Sequence, residues 1–129
     1  MMGKKLLCII ILLFISFIIT LSAGEGKPCE SCDMVGIASW YGEWHRGRKT
    51  ANGERFNPDL LTAAHPSLPM GTRLKVINLE NQRVVFVRVN DRGPYINNRV
   101  IDLSKQAARQ LGMVRQGIQR VCIVEIPDA

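Results

Sequence analysis

The chain has 129 residues, 47% of them hydrophobic, and a formal net charge of +6. Much of the hydrophobic content lies in one N-terminal run, so the remainder is expected to form one compact domain and no more. The positive excess is moderate and its residues are scattered over predicted strands and loops, which argues against nucleic acid as a partner.

Lys4 and Lys5 open the chain, residues 6–21 carry no charge, and Leu21-Ser22-Ala23-Gly24 supplies small residues. This pattern reads as a secretory signal over residues 1–23, with an uncleaved anchor as the weaker reading, because the apolar run is shorter than the about 20 residues a membrane helix needs. Glu25 stands where a lipid-modified cysteine would be. The mature protein is therefore expected to be exported to the periplasm or cell envelope, not lipidated, without a stable membrane anchor and monomeric. Both lysines leave with the signal while all 11 acidic residues stay, so the formal charge falls to +4. A moderately basic exported domain suits an anionic partner such as the cell wall.

Residues 24–34 read as a flexible leader containing Cys29-x-x-Cys32, and Cys122 is the third mature cysteine. The pair fits a redox motif, half a metal site or a local disulfide. No second CxxC and no HxxxH follows, so a local disulfide, or none, is expected. Cys122 shares the apolar side of the last strand with Val124 and Ile126, as a small buried hydrophobe would.

A first strand is predicted over residues 35–42, followed by a Gly-, Asn-, Arg- and Pro-rich loop over 43–59, long enough to suggest a functional role. A short apolar strand covers residues 60–64, Pro66, Pro69 and Gly71 make a turn, and residues 73–78 alternate as a strand. A turn over 79–82 leads into residues 83–90, where Val85, Val87 and Val89 share a core face and Phe86, Arg88 and Asn90 the other. Asn90-Asp91-Arg92-Gly93-Pro94 is dense turn chemistry. Strict alternation puts Asp91 on the valine side, at the mouth of the core, where desolvation would raise its pKa toward that of a proton donor and Arg92 would oppose the shift. Val100-Ile101 forms a further strand. Asp102 or Ser104 can cap a helix over 104–111 whose Leu103, Ala107 and Leu111 spacing faces the core, and Gly112 ends it. The last strand covers residues 121–126. About six short strands, one helix and long polar loops argue for a small β-barrel.

Six motifs then occur in order: Ala38-Ser39-Trp40-Tyr41-Gly42, Thr50-Ala51-Asn52-Gly53-Glu54-Arg55-Phe56, Leu61-Thr62-Ala63-Ala64-His65, Leu68-Pro69-x-Gly71-Thr72, Val89-Asn90-Asp91-Arg92-Gly93-Pro94 and Ile101-Asp102-Leu103-Ser104. Across residues 35–126 this set closely resembles the rare lipoprotein A (RlpA) family of septal lytic transglycosylases. The resemblance implies a six-stranded double-psi β-barrel of the barwin and expansin kind that cleaves peptidoglycan glycan strands. Two departures stand out. The lipid-bearing cysteine is missing, and the chain stops at Ala129, just past the last predicted strand, so septal targeting by a C-terminal glycan-binding module is not expected.

In the implied reaction a carboxylic acid protonates the oxygen leaving N-acetylmuramic acid, and the muramic C6 hydroxyl closes onto C1 to form a 1,6-anhydro sugar. Asp91 is the first candidate for the acid/base, against the plainer reading of a turn aspartate bonded to the Gly93 backbone. The resemblance marks Glu54 as a second catalytic-site carboxylate, assisting Asp91 or serving as the acid. His65, before Pro66, can bond a carboxylate or a sugar hydroxyl, or simply cap or fill the core. Asn90 and Arg92 flank the acid as substrate-orienting or turn-holding residues, and His45 is a weaker candidate. Of the aromatics, Tyr41 or Trp44 suits a sugar-stacking groove and Trp40 the core, while Asp102 reads most simply as a helix cap. No metal set, phosphate loop or Ser/His/Asp arrangement stands out, so no cofactor is expected. The alternatives are a non-catalytic expansin-like peptidoglycan-binding module, and an inverting muramidase, whose carboxylates would stand about 6.5–9.5 Å apart.

Overall fold

Alternating burial along the strands decides the architecture, because each strand offers one apolar row that only a closed sheet can cover. The computed structural model describes residues 31–96 and 98–128. In it six strands, β1 (Met34–Trp40), β2 (Thr62–Ala64), β3 (Arg73–Asn78), β4 (Val84–Asp91), β5 (Arg99–Leu103) and β6 (Ile118–Ile126), close into a barrel. Their spatial order is β1-β5-β2-β4-β3-β6, with β6 pairing back onto β1, so no strand is left as an edge. Antiparallel pairing joins β3 to β4 and β6, and two parallel pairs, β1–β5 and β2–β4, cross the barrel. This mixed, closed arrangement is the double-psi barrel.

The barrel interior is filled by Leu74 and Val76 of β3, Val85, Val87 and Val89 of β4, Ile101 and Leu103 of β5, and Val121 and Ile123 of β6. The valine row of β4 is thus the core face, as its alternation predicts. One end is plugged by α1 (Lys105–Gln110), whose Ala107 is buried with Leu103 and Leu111 at the expected four-residue spacing. Ser104 is the N-cap: its hydroxyl accepts from the Ala107 N–H at 3.2 Å and donates to the Leu60 carbonyl at 2.6 Å. Asp102 is not the cap. It lies inside β5, because that strand runs two residues beyond the predicted Val100-Ile101.

Gly36 shows how close the parallel β1–β5 pair runs. A Cβ added there would overlap the Val100 side chain, so only glycine lets the strands meet. The segment leading into β1 is likewise held against β6. The Asp33 N–H donates to the Ile123 carbonyl at 2.9 Å, and the Asp33 carboxylate accepts from the Glu125 N–H at 2.7 Å. This alignment delivers Cys32 to Cys122, and the two form a disulfide across 90 residues of sequence. The expectation of a local pair with Cys29, and of Cys122 as an unbonded hydrophobe, is corrected. The cause is β-ladder register, a long-range property that cysteine spacing does not carry. Cys29 and the expected signal segment lie outside the described residues.

Closing a loop of this length limits the unfolded chain and contributes about 4 kcal/mol. Reductant is therefore expected to lower the urea midpoint of residues 24–129 markedly and to have no such effect on Cys32→Ser. A wild-type midpoint insensitive to reductant would show that the bridge contributes nothing.

Candidate functional site

The site begins with a slip in register. Parallel pairing sets Thr62 opposite Arg88 and Ala63 opposite Val89, but Ala64 opposite Asp91. Asn90 is the extra residue of this bulge and is buried, 2% exposed, while Asp91 takes the place a regular ladder would give Asn90. The expectation that Asp91 continues the valine row is therefore corrected: alternation fails at the bulge, and Asp91 is partly exposed at the barrel rim.

The long loop after β1 folds back onto that rim. A single 3-10 turn, Glu43–His45, leads to a narrow turn closed by the Lys49–Arg55 bridge, with buried Phe56 as its anchor. Asn52 organises the tip: its side-chain oxygen accepts from the Thr50 hydroxyl at 2.6 Å and the Glu54 N–H at 3.1 Å. Gly53, at φ +90°, supplies the left-handed residue that the turn requires. The tip is latched to the bulge, since the Ala51 N–H donates to Asp91 Oδ1 at 2.9 Å and the Asn52 N–H to the Asn90 carbonyl at 3.3 Å.

Asp91 accepts three hydrogen bonds. Besides Ala51, the Arg92 N–H reaches Oδ1 at 2.8 Å and the Tyr41 hydroxyl reaches Oδ2 at 3.2 Å. The turn-aspartate reading survives in part, with Arg92 rather than Gly93 as backbone donor. Burial pushes the Tyr41 hydroxyl far above the usual tyrosine range, and the charges of Asp91 and Asp102 push it further, so Tyr41 stays a neutral donor.

Glu54 is held differently. Arg88 grips it with both guanidinium nitrogens, Nη2 to Oε2 at 2.9 Å and Nη1 to Oε1, and the Asn52 amide donates to Oε1 at 2.6 Å. The Arg88 hydrogen bonds, ahead of the Asn52 bond, hold its carboxyl down at about 2. Glu54 is thus a fixed anion that orders the loop, and the option that it serves as the proton donor is not supported by this geometry. Arg88, read from sequence only as a solvent-facing residue, is what sets that state.

His65 lies behind the site, 3% exposed. Its Nδ1 accepts from the Ser67 N–H at 3.1 Å and the Leu68 N–H at 3.0 Å, which assigns the proton to Nε2. Burial, and then the charge of Arg92, push its pKa below the usual histidine range. Its backbone N–H donates to the Asp91 carbonyl at 3.1 Å. Arg92 completes this support by donating from Nη1 to the carbonyls of His65 at 3.2 Å and Leu68 at 2.7 Å. His65 and Arg92 therefore brace the turn under Asp91.

Trp44 stands at the rim, 68% exposed, stacked on His45 with ring centroids 3.5 Å apart and with the Arg48 guanidinium 4.9 Å from its own ring. Tyr41 packs between His45 and Phe56, each centroid 4.9 Å away, and Trp40 packs on the core. Asp102 completes the site and was missed as a site residue. Its Oδ1 accepts from the Ser39 hydroxyl at 2.6 Å. Burial pushes its carboxyl above the usual range, opposed by the Ser39 bond and by Arg99 and His45, and assisted by the charge of Asp91.

The sign for Glu54 follows from a folded pKa below the unfolded one. Its pairing contributes stability above the ordinary glutamate pKa, and this is lost as pH falls through about 2. Carboxyl-carbon NMR should show Glu54 titrating near 2 and, in Arg88→Gln, moving up toward the ordinary range. A wild-type midpoint in that ordinary range would rule the pairing out in solution.

A sequence profile described as lytic transglycolase, of the double-psi β-barrel class, matches residues 33–123. The chain is 63% identical over 82 residues to the endolytic peptidoglycan transglycosylase RlpA of Campylobacter jejuni, covering 64% of this chain and 30% of that protein. It is 59% identical over 88 residues to the probable endolytic peptidoglycan transglycosylase RlpA of Synechocystis, covering 68% and 27%. The chain thus spans under a third of the length of these relatives. An expansin from Clavibacter michiganensis superposes with a TM-score of 0.58 at 25% identity, over 74% of this chain and 50% of that one. With its closed six-strand barrel and a profile match across nearly all of the described residues, the chain belongs to the RlpA-like lytic transglycolase family of double-psi β-barrel domains.

Proposed function

We propose that the protein is an endolytic lytic transglycosylase of peptidoglycan, cutting the β-1,4 bond between N-acetylmuramic acid and N-acetylglucosamine and leaving 1,6-anhydro-muramic ends. The observation that carries this reading is the Asp91 carboxylate, set at the rim by a bulge and held by three donors. A carboxylate fixed in this way is ready to take the proton of the muramic C6 hydroxyl and to offset the positive charge that develops at C1. Because the C6 oxygen supplies the new bond, no water is consumed.

The other residues take supporting roles in this reading. Tyr41 orients Asp91, Glu54 and Arg88 hold the loop that carries Ala51, and His65, Asn90 and Arg92 hold the bulge and turn. Trp44 offers an exposed ring for the apolar face of a sugar. The reading extends to an exported chain acting in the periplasm or cell envelope as a monomer, in line with the apolar segment over residues 6–21 and the basic mature composition. The expansin-like fold favours one second reading, a domain that binds glycan without cutting it.

Purified sacculi and amidase-stripped glycan, digested with residues 24–129 and examined by mass spectrometry, separate these readings. Anhydro-ended fragments are expected, falling about 10²–10⁴-fold in Asp91→Asn while glycan binding persists. Reducing ends would mean hydrolysis by an inverting muramidase, and binding without fragments would leave the expansin-like module. Trp44→Ala is expected to raise KM roughly 2- to 10-fold with kcat little changed, the worth of about 0.5–1.5 kcal/mol of ring contact. An unchanged KM would remove Trp44 from the groove.

A further inference from the structure

We propose that Asp102 is the proton donor of this reaction, working opposite Asp91 across the Tyr41 hydroxyl; the inference rests on the transglycosylase reading above. Its basis is the way the end of β1 holds two carboxylates. In the parallel β1–β5 ladder Ser39 stands opposite Asp102, and the Ser39 hydroxyl donates to Asp102 Oδ1 at 2.6 Å. Two residues on, the Tyr41 N–H donates to the Leu103 carbonyl at 2.9 Å, which keeps Tyr41 in line with β5 while its hydroxyl reaches Asp91 Oδ2 at 3.2 Å. Ser39, near the end of β1, and Tyr41, just past it, thus each bond one carboxyl group, Asp102 and Asp91.

The two carboxyls differ in a way that divides the labour. Asp91 accepts from three donors and sits partly exposed at the bulge. Asp102 accepts from the Ser39 hydroxyl and is half-buried, on the face of β5 opposite Ile101 and Leu103. The groups that face it are Ser39, Arg99, His45, Asp91 and Tyr41. Burial outweighs the cations and raises its carboxyl, and the negative Asp91 adds to that shift.

The step balances without a co-reactant. The bond from muramic C1 to the glucosamine O4 breaks, and O4 takes the proton of Asp102 as it leaves. The muramic O6 forms a new bond to C1 and its proton passes to Asp91. The protein ends with Asp102 ionised and Asp91 protonated, and one proton transfer between them, through the Tyr41 hydroxyl or solvent, restores the starting state.

The test compares two leaving groups. On amidase-stripped glycan, Asp102→Asn is expected to release anhydro ends about 100-fold more slowly or worse. On a muramic glycoside with a 4-nitrophenyl group at C1, whose phenolate leaves without a proton, the same variant should stay within about threefold of wild type. Asp91→Asn should lose both. Asn can still accept from Ser39, and matching melting temperatures will show that the variant folds. Ser39→Ala keeps the carboxyl and removes a bond that favours its ionised form, so the upper limb of the kcat/KM–pH profile should move to higher pH. Undiminished glycan cleavage by Asp102→Asn, equal losses on both substrates, or an unmoved pH limb in Ser39→Ala would each overturn the donor role. A wild type that releases no anhydro ends fails one stage earlier, and takes both the transglycosylase reading and this one with it.

Discussion

The register slip between Ala63 and Ala64 is the constraint from which the rim of the barrel is built. A regular parallel ladder would direct Asn90 outward and Asp91 inward, leaving a carboxylate among valines. The extra residue reverses both assignments and frees the Asn90 carbonyl to meet the Asn52 N–H. The loop that follows β1 then has a fixed place to land. Its own turn bonds, the Glu54–Arg88 pair and the Ala51 N–H on Asp91 all act at that landing point. A bulge next to a functional carboxylate re-aims a side chain at the cost of one paired residue.

The supporting turn works on the other side of the same strand end. The Nδ1 of buried His65 accepts from both the Ser67 and Leu68 N–H groups, and Arg92 donates to the carbonyls of His65 and Leu68. Neither residue needs to change protonation to do this. The polar groups around Asp91 therefore fall into two kinds. Arg88 pairs with Glu54 and Arg92 donates to backbone carbonyls, while the Tyr41 hydroxyl bonds Asp91 and feels the charge of Asp102.

Much of the fold was legible because barrel strands advertise themselves through alternation. The valine row of β4, the 73–78 strand and the Leu103–Ala107–Leu111 spacing all landed as read. What failed were features decided by a partner strand. Asp102 looked like a cap because β5 was read two residues short, and its burial comes from β1 lying beside it. Asp91 was assigned a face by counting along one strand, which cannot see a bulge. Cys32 and Cys122 met through the β1–β6 ladder rather than through local spacing. The roles of Arg88 and His65 depended on hydrogen-bond partners 34 and two to three residues away, and only the latter kind leaves a local trace.

The strand order also has a consequence for how the chain assembles. β1 pairs only with β5 and β6, the two strands made last, and Met34 finds its partner at Ile123. As the polypeptide emerges from its N-terminal end, the first strand has no ladder partner until β5 and β6 have been made. The β3–β4 hairpin, by contrast, closes through a local turn and can form early. Closure of this barrel therefore waits on β6, and the β3–β4 hairpin is able to form before β1 finds its partners.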